Sequence, residues 1–150
     1  MRHTGFKIRI FPTTEQESKF RQYAGIARYT YNWALSCREL AYSATAGQYG
    51  ISHSDVSYLL TLERNYIDWM GAAPRNIQAF AILDCDAAYK RFFTKIGAYP
   101  RYKKKRYSHL NFSYEYQPGV DFNFVPKAGR VKLNYKDPQY KIIIANEENL

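Results

Sequence analysis

Cysteine is scarce in this 150-residue chain: Cys37 and Cys85 are far apart, and neither belongs to a CxxC pair. That excludes a disulfide framework or a zinc ribbon and predicts two reduced, buried thiols. Long apolar runs are lacking too. No stretch reaches the roughly eighteen residues that a membrane-spanning helix needs, and Met1-Arg2-His3-Thr4-Gly5-Phe6-Lys7 has no secretory apolar core. A cytoplasmic protein with no membrane partner is expected. His3, His53 and His109 have no Cys or carboxylate at ligand spacing, so they read as surface histidines and no metal site is predicted. Walker, GxSxG and GxGxxG motifs are missing, as are internal repeats, and no cofactor is expected.

What is present is positive charge and tyrosine. Lys and Arg number 22 against 13 Asp and Glu, giving +9 at pH 7, and the apolar fraction of 46% can bury a core. The chain has 15 Tyr, whose ring stacks and whose hydroxyl hydrogen-bonds; with excess charge this suits a surface that meets nucleic acid.

Residues 6–11, Phe-Lys-Ile-Arg-Ile-Phe, alternate with period two and predict a strand ended by Pro12, with Lys7 and Arg9 on its wet face. Thr13 with Gln16, or Thr14 with Glu17, can form a capping box. Helical spacing of Phe20, Ala24, Ala27, Tyr31, Ala34 and Leu35 then predicts a helix to about residue 45. Ser52 or Ser54 can cap a second helix, broken at Gly71, and Pro74 suits the first turn of a third that reaches Lys95. Candidate core residues are Ile8, Ile10, Phe20, Tyr31, Trp33, Leu59, Leu62, Trp69, Ile77, Phe80, Tyr89, Phe92 and Phe93. Alternating runs at 112–116, 120–124, 131–133 and 140–144 predict strands separated by Pro118-Gly119, Ala128-Gly129 and Asp137-Pro138. The order strand, three helices, strands predicts an α+β fold: a small β-barrel interrupted after its first strand by a helical insert.

Between Ala87 and Tyr114 stand Lys90, Arg91, Lys95, Arg101, Lys103, Lys104, Lys105 and Arg106, with no Asp or Glu. Cations of this density neutralise phosphates and release counterions, and Tyr99, Tyr102 and Tyr107 among them can stack on bases. The alternatives are a solvated charge run and an anionic membrane surface, although no basic amphipathic helix supports the latter.

Four strings, in order, carry a resemblance: Lys7-Ile8-Arg9-Ile10-Phe11-Pro12-Thr13-Thr14-Glu15-Gln16; Ala27-Arg28-Tyr29-Thr30-Tyr31-Asn32-Trp33-Ala34-Leu35; Asp86-Ala87-Ala88-Tyr89-Lys90-Arg91-Phe92-Phe93; and Tyr99-Pro100-Arg101-Tyr102-Lys103-Lys104-Lys105. Together they resemble the N-terminal part of the TnpB family, transposon-encoded RNA-guided DNA nucleases related to type V CRISPR effectors, from about residue 5 to residue 133. The resemblance implies an oligonucleotide-binding-like wedge barrel (1–12 and 99–150) split by a helical recognition domain (13–98). It implies guide RNA as partner, target DNA with a short adjacent motif, and a RuvC-like nuclease domain lying downstream.

Gly119-Val120-Asp121-Phe122 resembles the opening of a first RuvC strand, but Asn123 replaces the family's Gly and the wedge-like 129–133 string follows it. Asp121 is therefore read as a wedge residue. Asp84 and Asp86 point to different faces of one helix, and Glu147-Glu148 lie near the terminus without a partner in view. No trio for two-metal cleavage is readable, and no catalytic residue is assigned. The family's Leu-Pro-Lys stretch is replaced by Leu133-Asn134-Tyr135, consistent with a shortened chain or a free-standing piece.

The resemblance adds Arg28 and Asn32 as candidates to face nucleic acid, or alternatively to tie the first helix to the barrel. It also adds His53, Ser57, Arg75 and Asn76 near the adjacent-motif DNA, where Arg can pair with guanine and Asn with adenine. Ala79 replaces a longer polar side chain of the family. The leading expectation is a non-catalytic fragment binding guide RNA through residues 90–107. The alternatives are one half of a split endonuclease with a separate RuvC chain, and a helix-turn-helix regulator built on 53–96.

Overall fold

The computed structural model describes residues 2–9, 11–106, 111–115, 129–134 and 141–148. The elements are β1 (Arg2–Arg9), α1 (Thr14–Ala44), α2 (His53–Tyr66), a 3-10 turn (Asp68–Ala72), α3 (Arg75–Phe93), β2 (Asn111–Glu115), β3 (Gly129–Asn134) and β4 (Lys141–Glu148). The expected run at 120–124, Asp121, Tyr107, His109 and Ile10 lie outside the described residues. Contacts group the chain into two compact units, 1–24 with 109–150, and 25–108. The basic segment 99–106 thus groups with the helices, and the start of α1 with the strands, unlike the ranges 13–98 and 99–150 drawn from sequence.

In the first unit four strands pair antiparallel in the order β1-β4-β3-β2. β1 therefore pairs with β4, and the register sets Glu147 and Glu148 opposite His3 and Arg2. Register aligns Phe6, Ile144, Val131 and Tyr114 in one row and Ile8, Ile142, Leu133 and Phe112 in another. Between them, Lys7, Ile143, Lys132 and Ser113 form the intervening row of the register. Phe112 is buried, with Tyr23 edge-on at 5.7 Å and Phe20 at 6.1 Å.

Local capping selects among the starts that the sequence left open. Thr13 N donates to Gln16 Oε1 at 2.9 Å and Gln16 N to Thr13 Oγ1 at 3.3 Å, so the Thr13 box opens α1. Ser52, with Asp55 in the reciprocal role, opens α2. Pro74 stands at the N-cap of α3 rather than inside its first turn. At the other end, Lys95 takes φ 61°, and the N–H groups of Ile96 and Gly97 both donate to the Arg91 carbonyl. The helix therefore stops at Phe93, ahead of the expected Lys95.

The second unit buries Leu35, Val56, Leu60, Met70, Ile77, Ile82 and Cys85. Gln78 is buried with them; its Nε2 donates to the Met70 carbonyl at 3.2 Å, and its Oε1 accepts from Arg64 Nη1, so the polar amide is satisfied on both sides. Four expected core residues are corrected: Leu59, Leu62, Trp69 and Phe93 are exposed. Val56 and Leu60, four apart, take the buried line of α2 and leave Leu59 and Leu62 beside it; Met70 takes the inward place in the turn instead of Trp69. Cys37 is only half-buried, against the expectation of two buried thiols.

Candidate nucleic-acid interface

Residues 98–104 have no helical or strand ladder of their own, so their backbone groups need other partners. α1 supplies them. Asn32 Nδ2 donates to the Lys103 carbonyl at 2.9 Å, and the Lys103 N–H donates to Asn32 Oδ1 at 2.7 Å, so one side-chain amide pairs with the segment as a neighbouring strand would. Seven residues on, Glu39 Oε2 accepts from the Tyr102 hydroxyl at 2.6 Å and Oε1 from the Tyr99 hydroxyl at 3.5 Å. The bond to Glu39 raises the Tyr102 pKa, with burial adding to it. Pro100 is buried, which completes the attachment.

Lys103 itself is half-buried, its Nζ 4.0 Å from the Tyr31 ring centroid, a cation–π contact that directs this lysine inward. Arg101, Lys104, Lys105 and Arg106 are exposed, and Tyr102 keeps 46% of its surface open. The segment therefore presents cations from a backbone held in place. Of the other sequence candidates here, Arg91 and Lys95 are exposed, as is Lys90, whose Nζ lies 3.1 Å from Asp86 Oδ2. Asp86 also accepts from Arg38 Nη2 at 2.7 Å. Burial pushes Asp86 up, but the hydrogen bonds from Lys90 and Arg38 outweigh it and hold the carboxyl below its usual range.

Asn32, a candidate for either nucleic acid or a structural tie, has both atoms of its amide occupied by Lys103. Arg28 is half-buried, with Nη1 buried and lacking a hydrogen-bond partner among the described residues. Arg75 reaches back to α2, Nη2 donating to Thr61 Oγ1 at 2.8 Å and to the Ser57 carbonyl at 3.2 Å. This joins Ser57 and Arg75; exposed His53 is one turn before Ser57, and half-buried Asn76 follows Arg75. Sequence reasoning missed Glu39 and Arg38. Glu39 had a readable signal, its position two turns after Asn32 on the same face of α1. Among the described residues no group of three or more His, Cys, Asp or Glu could hold a metal ion, and no helix is long and apolar enough to cross a membrane.

Comparison with known proteins bears on this arrangement. The OrfB/IS605 family described as "Helix-turn-helix domain" matches residues 1–47, where this chain forms one strand and a single uninterrupted helix of 31 residues. The Escherichia coli (strain K12) protein named "Putative RNA-guided DNA endonuclease InsQ" is 30% identical over 132 residues, covering 83% of this chain and 32% of that protein. A Streptomyces pristinaespiralis protein named "Putative RNA-guided DNA endonuclease" is 29% identical over 112 residues, covering 73% and 27%. The chain thus spans about a third of the length of the curated relatives it matches. These matches agree with the four ordered strings in the sequence, and the chain belongs to the TnpB family, as a counterpart of its N-terminal region.

Proposed function

We propose that this chain is a nucleic-acid-binding part of an RNA-guided DNA endonuclease, holding the structured portion of a guide RNA, and target DNA beside it, without carrying the nuclease centre. The observation that carries the reading is the acid-free segment fastened to α1 through Asn32 and Glu39, with Arg101, Lys104, Lys105 and Arg106 exposed. Phosphate contact needs charge with little geometry, and a pre-ordered backbone lowers the entropy lost on binding. The printed names of the two relatives support RNA and DNA as the partners. We further read the four-stranded sheet as the wedge, an oligonucleotide-binding-like barrel, and residues 25–108 as the recognition part.

The test is a titration of the purified chain with hairpin-rich transposon-end RNA across salt. Replacing Arg101, Lys104, Lys105 and Arg106 together by Glu should abolish tight binding and flatten the log K against log salt slope by about 3, at roughly 0.7–0.9 for each phosphate no longer neutralised. Unchanged affinity in that variant would refute the assignment. A preference for duplex DNA over RNA in the same titration would favour a helix-turn-helix regulator on 53–96 instead. For a split arrangement the expected outcome is that adding a RuvC-containing chain restores guided, Mg²⁺-dependent cleavage.

A further inference from the structure

Behind the basic segment, α1 and the end of α3 enclose a cleft of about 540 Å³ lined by Arg38, Glu39, Tyr42, Tyr89, Phe93 and Tyr99, among others. Its volume falls within the range of about 300–1,000 Å³ typical of small-molecule sites. The rings form a connected cluster: Tyr89 and Phe93 stack at 6.2 Å, Tyr99 meets Tyr89 edge-on at 5.7 Å, and Phe92 meets Tyr99 edge-on at 5.2 Å. Tyr89 is buried, as a floor would be, whereas Phe93 is 73% exposed and Tyr42 59% exposed. Two large aromatic rings left open beside a ring-lined cavity are out of place in a purely structural core.

Polar groups stand in the same cleft. Glu39 accepts from the hydroxyls of Tyr99 and Tyr102, which leaves lone pairs of a carboxylate able to accept about four hydrogen bonds. Arg38 lies over the Tyr89 ring at 5.1 Å and spends Nη2 on Asp86, but its Nε is buried with no partner among the described residues. Tyr42 is oriented by the turn beyond α1. Gly47 has φ 80°, and a Cβ there would stand 3.0 Å from the Tyr42 hydroxyl, so a glycine at this turn allows the ring its place. Lys90, Arg91 and Lys95 neighbour Phe92 and Phe93 in sequence, and all three are exposed.

We infer that this cleft receives one unstacked nucleobase of a single strand, with Phe93 and Tyr42 as stacking faces, Glu39 accepting from the base's N–H edge and the flanking cations meeting the neighbouring phosphates. The inference rests on the nucleic-acid reading above and deepens it. Charge selects this occupant over an apolar peptide, since the stretch from Ala88 to Ser113, which supplies Tyr89, Phe92, Phe93 and Tyr99 to the cleft, carries Lys and Arg but no acid. Stacking on an aromatic face tolerates any base, while the Glu39 carboxylate favours bases that bear an exocyclic amino group.

The test pairs protein and nucleic-acid truncations on the intact chain. Short single-stranded RNA and DNA of matched sequence, each with one abasic site moved along the strand, are titrated against wild type and Phe93→Ala by fluorescence anisotropy. Phe93 is exposed, so its truncation spares the core. Phe93→Ala should weaken binding roughly ten-fold, from the strength of base–aromatic stacking, with the salt slope unchanged. One abasic position should cost wild type the same factor and cost Phe93→Ala nothing further; comparing the RNA and DNA arms shows which strand supplies the base. Tyr42→Ala should repeat the pattern. Losses that add at every abasic position, or a Phe93→Ala variant that binds as wild type does, overturn the cleft assignment while leaving the phosphate interface standing. Failure of wild type to bind any of these strands also overturns the cleft assignment, and the phosphate interface is then decided by the hairpin RNA titration.

Discussion

Asn32→Ala isolates the clamp from the charges it displays. The substitution removes two hydrogen bonds, 2.9 Å and 2.7 Å, to the backbone of Lys103, and alters no charged group. A net contribution of about 0.5–1.5 kcal/mol per bond gives an upper range of about 3 kcal/mol. The site is only partly buried, so water can reach the released Lys103 groups, and about 1–2 kcal/mol is the expected loss. For a chain of this size that lowers Tm by about 2–8 °C. Two further readouts separate the clamp from general destabilisation. The Lys103 amide should lose its protection from hydrogen exchange more than the amides of α3 do, because its acceptor has gone. RNA affinity should fall roughly ten-fold or more with the salt slope unchanged, since the same cations are present and only their ordering must now be supplied on binding. A wild-type Tm together with wild-type protection at Lys103 would refute the reasoning that Asn32 holds the segment.

Thiol chemistry gives a second check on the helical unit. Burial pushes the Cys85 thiol up to about 11, and Cys37 is also raised by burial but only half-buried, so a thiol reagent at pH 8 should label Cys37 first and Cys85 only after unfolding. The same shift works on stability: the contribution of Cys85 is complete below its unfolded pKa of about 8.5 and is lost as pH rises towards about 11, a loss that Cys85→Ala should remove from the alkaline limb. Asp86 acts in the opposite sense. Its folded pKa is lowered, so its contribution is present above the ordinary carboxylate pKa of about 3.9 and is lost as pH falls through the folded value; Asp86→Asn should flatten the acid limb of a Tm against pH profile.

The helices were largely legible because they are local. Capping side chains and apolar spacing act within a few residues, and the structure had only to choose Thr13 over Thr14 and Ser52 over Ser54. Exposure was read less well at Leu59, Leu62, Trp69 and Phe93, because apolar spacing marks a broad stripe while neighbouring elements decide which edge of it is covered. Lys103 shows the same division in the candidate interface. Its position in a basic run is plain in the sequence, yet the run does not show that its Nζ lies against the Tyr31 ring while Lys104 and Lys105 stay exposed.

By itself the sequence determined the family, through four ordered strings, and located the charge imbalance on which the proposed nucleic-acid partner rests, in one acid-free stretch. Both are one-dimensional properties, visible without knowing what touches what. Tertiary structure decided which residues act together. Asn32 and Lys103 are 71 positions apart, and Glu39 and Tyr102 are 63, so no local pattern could pair them. Long-range hydrogen bonds between α1 and the segment after α3 convert a run of cations into a surface with a fixed backbone, and the return of α3 alongside α1 closes an aromatic cleft behind it.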